Sequence, residues 1–324
     1  MKRKEWLIKV KKAIIFGLGN WYRIYIDELR KMYDIIAVSS NNRNEAMEYS
    51  DYISADKISS LNFDYVIVCC NDAEIEITNQ LVNVYNIPIE KIVLVNSLFK
   101  YNKTIFHAQI NEDAIVVLLL KLIGKNLKEV TYLELGTNHP AKGNNTYSLY
   151  QMGGKGILVE PDRNLKNIIN AVRPRDVLIN KAISLDGEPK EFYVLNASAV
   201  NTLMYNAVAD EYKEKMKDFG IKETYTVETI TVNDCLEMLG NGLDVFSIDI
   251  EGMDYEVLNQ MNFYKYRPKI IIAEMVALGV KEQQGDKIEK LLEKNGYFCF
   301  HNNSLNGIYV DEKYKELVKE YMVS

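Results

Sequence analysis

Cysteine is scarce in these 324 residues: Cys69, Cys70, Cys235 and Cys299 are the full set, and only the first two lie close together. Adjacent residues on a strand point to opposite faces, so nothing here resembles a disulfide framework or a zinc site. A reduced, cytoplasmic protein is expected. Basic clusters are also missing. Beyond the first dozen residues there is no Lys/Arg-rich block, and the net charge is −6, which argues against nucleic acid as the partner. Long apolar runs are absent as well. AIVVLLLKLIG (Ala114 to Gly124) is too short to span a bilayer and contains Lys121, so it reads as a buried helix. The opening MKRKEWLIKVKKAIIFGLG stays basic as far as Lys12, and its apolar stretch AIIF is too short for an export signal. No internal repeat of fixed period occurs.

What is present is ordinary for a globular protein: 48% hydrophobic and 26% charged residues, in a length that suits about two domains. The first hundred residues alternate strand and helix. Ala13–Phe16, Ile35–Val38, Tyr65–Val68 and Lys91–Val95 read as strands, and Trp21–Tyr33 and Ala73–Tyr85 as helices. This predicts a small doubly wound parallel sheet. Gly17-Leu18-Gly19 stands where a dinucleotide fingerprint begins. However, Tyr22 occupies the next glycine position, and the second strand ends in Ser39-Ser40-Asn41-Asn42 without the acid that holds the ribose of NAD. A tight strand-to-helix turn is the simpler reading of the two glycines.

Tyr101–Asp113 reads as a linker. Beyond it the same alternation resumes, with strands at Val130–Leu135, Gly156–Val159, Val177–Ile179, EFYVL, Thr226–Val232, Val245–Ile250 and Ile270–Ala273. Helices are expected at Tyr147–Met152, Leu165–Ala171, Ala207–Lys217, CLEML behind an Asn233-Asp234 cap, and Asp286–Asn295. A hairpin, Tyr297–His301 with Gly307–Val310, closes the chain. Glu134, Glu160 and Asp249 each follow a buried strand, and Glu251 and Asp254 follow Asp249. Ligands of open α/β sheets bind at such strand ends, where an acid can accept two ribose hydroxyls. Gly136 lets backbone approach a ligand without a Cβ. A cationic ligand bearing a ribose suits these acids, and S-adenosylmethionine has both features.

Tyr132–Pro140 (YLELGTNHP), Asn144–Tyr150 (NNTYSLY), Gly156–Asp162 (GILVEPD), RPRDVLINKAIS, ETITVNDCL and SIDIEGMDYEVL followed by RPKIIIAE resemble, in order and spacing, the FkbM family of S-adenosylmethionine-dependent methyltransferases. The resemblance covers Val130 to Val310. It implies a class I methyltransferase fold, a seven-stranded sheet of order 3-2-1-4-5-7-6 with the seventh strand antiparallel. The chain then divides into a small Rossmann-like domain (1–100), a linker and connecting helix (101–125) and a methyltransferase domain (126–324). The glycine-rich loop departs from the usual pattern: HPAKGNN extends it, and Gly143 comes late. The resemblance assigns the cofactor to Glu134, Gly136, Thr137, Asn138, Thr146, Glu160, Pro161, Ala182 and Asp249. Asp249 and Glu251, with His139 third, are the candidates to remove a proton from the acceptor. Asp249, Glu251 and Glu274 also offer hard oxygen ligands to Mg²⁺, although no feature of the sequence requires a metal.

The acceptor implied is a hydroxyl, of a sugar in a glycan, a nucleotide sugar or a secondary metabolite, and the first domain suits a nucleotide or nucleotide sugar. A homo-oligomer is compatible with this composition. Two other readings stand beside this one: an NAD-dependent oxidoreductase using Gly17 and Gly19, and a non-catalytic nucleotide-binding or assembly module.

Overall fold

Short β-rich apolar runs become strands wherever a polar turn follows them. The computed structural model describes residues 10–70, 72–100, 106–195, 203, 220–276 and 284–321. The chain divides into two units, Met1–Ile105 with Asn167–Pro174, and Phe106–Lys166 with Arg175–Ser324.

In the first unit β1 (Lys12–Phe16), β2 (Asp34–Ser39), β3 (Tyr65–Val68) and β4 (Ile92–Leu94) form a parallel sheet of order β2-β1-β3-β4. The helix Asn20–Met32 buries Tyr22 and Leu29, and a second helix spans Glu74–Asn83. Ile15, Val38 and Ile67 are fully buried in its core. The glycine at position 17 has a backbone reason. Its φ is +99°, and a Cβ there would stand 3.0 Å from the Cys69 carbonyl oxygen. Tyr22, in place of a third glycine, is a core residue.

The second unit is built on β5 (Thr131–Leu135), β6 (Lys155–Val159), β7 (Val177–Ile179), β8 (Ala182–Ile183), β9 (Lys190–Leu195), β10 (Ile221–Val227), β11 (Thr229–Ile230), β12 (Val245–Ile248), β13 (Ile270–Glu274), β14 (Tyr297–Asn302) and β15 (Asn306–Asp311). Seven of them form one sheet of order β14-β15-β13-β12-β5-β6-β7, in which β15 runs antiparallel to both neighbours and the remaining pairs are parallel. Numbered within that sheet, the order is 3-2-1-4-5-7-6 read from β7, as the sequence implied. Leu133, Phe246, Ile271 and Tyr309 fill its core at 0% exposure. Because β5, β6, β12 and β13 are parallel, their C-terminal ends share one edge of the sheet.

Three local expectations change. The run Thr226–Val232 is not one strand: β10 and β11 divide it, and Val232 opens the helix Val232–Leu239. β10 pairs with β9 outside the main sheet and leaves alternate residues to solvent, so it shows no apolar run. The cap of the Val232–Leu239 helix is Thr231, whose hydroxyl accepts the Asp234 N–H while the Asp234 carboxylate reaches back to Thr231, a capping box. Ile250 falls beyond β12, in the turn. The helix expected at Ala207–Lys217, and residues 101–105 of the expected linker, lie outside the described residues. The helix Glu112–Leu122 buries Val116, Val117, Leu119 and Leu120. No helix among the described residues is long and apolar enough to cross a membrane.

Candidate active site

Two strand ends are forced together at the centre of that edge. Gly136, just past β5, has φ +80°, and a Cβ there would lie 1.8 Å from the Asp249 carbonyl oxygen. Only glycine allows this approach, and the Asp249 N–H donates to Leu135 O at 3.1 Å. A cavity of about 300 Å³ opens beside them. Of the residues singled out from the sequence, Glu134, Gly136, Thr137, Asn138, Glu160, Pro161, Ala182, Asp249, Glu251 and Glu274 all line it.

Glu160, at the end of β6, is buried, and both of its oxygens are already aligned. Oε2 accepts the Asn138 N–H at 2.7 Å and Oε1 the Asp162 N–H at 2.8 Å. A carboxylate has about four acceptor positions, so two remain for a ligand. Burial pushes its carboxyl up to about 7. The two backbone donors pull it down, and the charges of Asp162 and Glu134 push it further up. Asn144 is the hub of the loop after β5. Its Nδ2 donates to Glu134 Oε2 (3.0 Å) and Thr137 O (3.2 Å), and its Oδ1 accepts the N–H groups of Thr146 and Tyr147. Asn144 was missed in the sequence, although it stands in the NNTYSLY stretch. The Thr137 hydroxyl is buried in the same wall with no hydrogen-bond partner among the described residues.

Asp249, Glu251 and Glu274 meet at the ends of β12 and β13, each with an oxygen within 4.8 Å of the others. Burial above all, then repulsion from neighbouring carboxylates, Asp254 among them, holds all three carboxyls well above the ordinary carboxylate range. The site thus favours positive charge, and among the described residues Lys142 is the only Lys or Arg lining it.

Two predicted residues stand apart, with Asp254. His139 and Thr146 are not among the lining residues. His139 Nδ1 accepts the N–H groups of Ala141 and Lys142, at 3.1 and 2.9 Å, and so holds the turn that follows it. Thr146 is buried at the start of the helix Tyr147–Gln151. Asp254 accepts the Ile250 and Gly252 N–H groups and shapes the turn beyond β12. The structure adds Gln109, Asn145, Phe192, Ser247 and Asn306 to the walls. Asn145 and Ser247 stand in the NNTYSLY and SIDIEGMDYEVL stretches, whereas Gln109, Phe192 and Asn306 come from elements with no motif to announce them.

The sheet order and the acid-lined strand ends define a class I methyltransferase. The Methyltransferase FkbM domain matches residues 134–299, just over half of the chain. The chain belongs to the FkbM family of S-adenosylmethionine-dependent methyltransferases. A second family, described as C2185-like, N-terminal, matches residues 9–93. No curated protein matches the sequence. Among solved structures, the chain is similar to an O-methyltransferase from Bacillus cereus in complex with SAH, at 12% identity and TM-score 0.35, covering 74% of this chain and 90% of that one. It is also similar to precorrin-6y C5,15-methyltransferase from Geobacter metallireducens, at 10% identity and TM-score 0.33, covering 60% and 87%.

Proposed function

We propose that this protein transfers a methyl group from S-adenosylmethionine to a hydroxyl, of a sugar in a glycan, a nucleotide sugar or a secondary metabolite. One observation carries the reading. A buried carboxylate held by two backbone N–H groups, Glu160, shares a cavity with the acids of β12 and β13. In this reading Glu160 takes the two ribose hydroxyls, and Pro161 and Ala182 contribute to the adenine side. Gly136, Thr137 and Asn138 border the methionine part, with Glu134 behind them, and Thr146 supports the loop from its buried position. Asp249 lies near the sulfonium.

The acceptor oxygen attacks the methyl carbon in line, the C–S bond breaks with its electron pair going to sulfur, and the hydroxyl proton passes to a carboxylate. Positioning supplies most of the acceleration. Asp249 and Glu251 are the bases. Burial and neighbouring carboxylates raise their pKa values, and the positive charge of the sulfonium favours their ionised forms. His139 ranks behind them because its Nδ1 is engaged in the turn. We assign residues 126–324 to this catalysis, 101–125 to the connection, and 1–100 to binding a nucleotide or nucleotide sugar, in the cytoplasm.

The test is transfer of labelled methyl from S-adenosylmethionine onto a panel of nucleotide sugars and glycans. The expected product is a methyl ether. Asp249→Asn is expected to lower turnover by about 10²-fold or more, the usual contribution of a positioned base. Methyl found on nitrogen or carbon, or wild-type turnover in Asp249→Asn, contradicts the reading.

A further inference from the structure

We propose that Asp249, Glu251 and Glu274, together with the side-chain oxygen of Asn306, bind one hard divalent cation such as Mg²⁺ or Mn²⁺. The three carboxylates come from the ends of two adjacent strands, with an oxygen of each within 4.8 Å of the others. Oxygens on opposite sides of one such ion are about 4–5 Å apart, given ligand distances of 2.0–2.6 Å. The donor set is all oxygen, which suits a hard ion and not a soft one.

Two observations outside the carboxylate geometry point the same way. Glu274 Oε2 is sealed from solvent and has no hydrogen-bond partner among the described residues. Asn306, only 6% exposed, lies directly across from Glu274 in the β13–β15 register, and both residues line the cavity. An asparagine beside carboxylates ordinarily turns its NH₂ toward them. Here Nδ2 is taken by Glu112 Oε1 at 2.8 Å. Glu112 is itself buried and fixed, accepting from Asn303 Nδ2 at 2.8 Å and from Ile110 N–H at 2.9 Å. The Asn306 side-chain Oδ1 is therefore left as a further acceptor beside Glu274, with no donor among the described residues. Three carboxylates gathered this closely repel one another, and a cation bound among them relieves that repulsion.

The role of the ion rests on the methyltransferase reading. Bound beside Asp249, it would hold an acceptor hydroxyl and lower its pKa, leaving Asp249 to take the proton with its second oxygen. The acceptor it fits is one that offers neighbouring hydroxyls.

Manganese binding to the full-length protein, followed by the loss of the free Mn²⁺ electron paramagnetic resonance signal, tests the site without turnover. Calorimetry with S-adenosylhomocysteine runs in parallel. One saturable Mn²⁺ per chain is expected, retained when S-adenosylhomocysteine is saturating. Glu274→Gln is expected to weaken it at least tenfold while leaving S-adenosylhomocysteine affinity within a few-fold. If Glu274→Gln fails to bind S-adenosylhomocysteine, Asn306→Ala replaces it, with a several-fold loss of Mn²⁺ expected. Absence of saturable Mn²⁺ binding in a wild type that binds S-adenosylhomocysteine overturns the site and leaves the methyltransferase reading intact. Displacement of Mn²⁺ by S-adenosylhomocysteine also overturns it, because the acids then belong to the cofactor. Mn²⁺ bound one per chain without S-adenosylhomocysteine binding supports the ion site and sinks the methyltransferase reading.

Discussion

Gly136 and Glu160 carry the site at the scale of single residues. At position 136 the left-handed backbone and the 1.8 Å approach to Asp249 O act together. The backbone conformation alone costs about 1–3 kcal/mol for a non-glycine residue. Gly136→Ala is therefore expected to lower thermal stability clearly and to abolish S-adenosylhomocysteine binding. An alanine variant with wild-type melting and affinity would show that the strand ends are not so close. For Glu160 the sign of the pH effect follows from its raised pKa. Its carboxyl holds its proton up to about pH 7 in the ligand-free protein, whereas accepting two hydroxyls requires the ionised form. Affinity is expected to be full above pH 8 and to fall by up to about tenfold per unit as pH drops below 7. Calorimetry from pH 5.5 to 8.5 checks this, and Glu160→Gln should flatten that part of the profile. Both residues were legible in the sequence, because a glycine or an acid just past a buried strand has few other uses there. Asn306 was not, since its meaning comes from Glu112, 194 positions away in the chain.

Among the elements, β12 is tied at its start as well as at its end. Asp244, fully buried, receives Lys125 Nζ at 2.8 Å, Lys269 Nζ at 2.5 Å and the Thr131 N–H at 2.9 Å. These donors join the starts of β5, β12 and β13, the three central strands. Burial alone would raise the Asp244 pKa, but the hydrogen bonds from the two lysines and Thr131 outweigh it and hold it below the ordinary value. A depressed acid contributes stability above its unfolded pKa near 4, and that contribution is lost as pH falls through the lower folded value. Asp244→Ala is expected to destabilise by about 3 kcal/mol at pH 7, as when one partner of a buried pair is removed, with the difference shrinking at acid pH. Urea unfolding at pH 7 and below pH 4 checks this, and an unchanged midpoint at pH 7 would contradict it. The strands of the main sheet were readable because burial on both faces leaves continuous apolar runs. β10 was not, since IKETYTV has solvent on one side and its pattern is interrupted by charge.

Over the whole molecule, the FkbM match and the C2185-like match fall on different stretches, 134–299 and 9–93, and the described residues form two units. Scanning calorimetry is expected to resolve two transitions. S-adenosylhomocysteine should raise only the one belonging to the methyltransferase unit, by about 2.7 kcal/mol of stabilisation at a hundred times its Kd. A single transition, or an equal shift of both, would contradict this. The most direct test of the central claim is calorimetric titration of the full-length protein with S-adenosylhomocysteine, with Glu160→Ala beside it. The account predicts one equivalent bound per chain. It also predicts an affinity loss of roughly 100-fold in the variant, from two hydrogen bonds to a charged group at about 1.5 kcal/mol or more each. Absence of binding by the wild type, or equal affinity in Glu160→Ala, would contradict it.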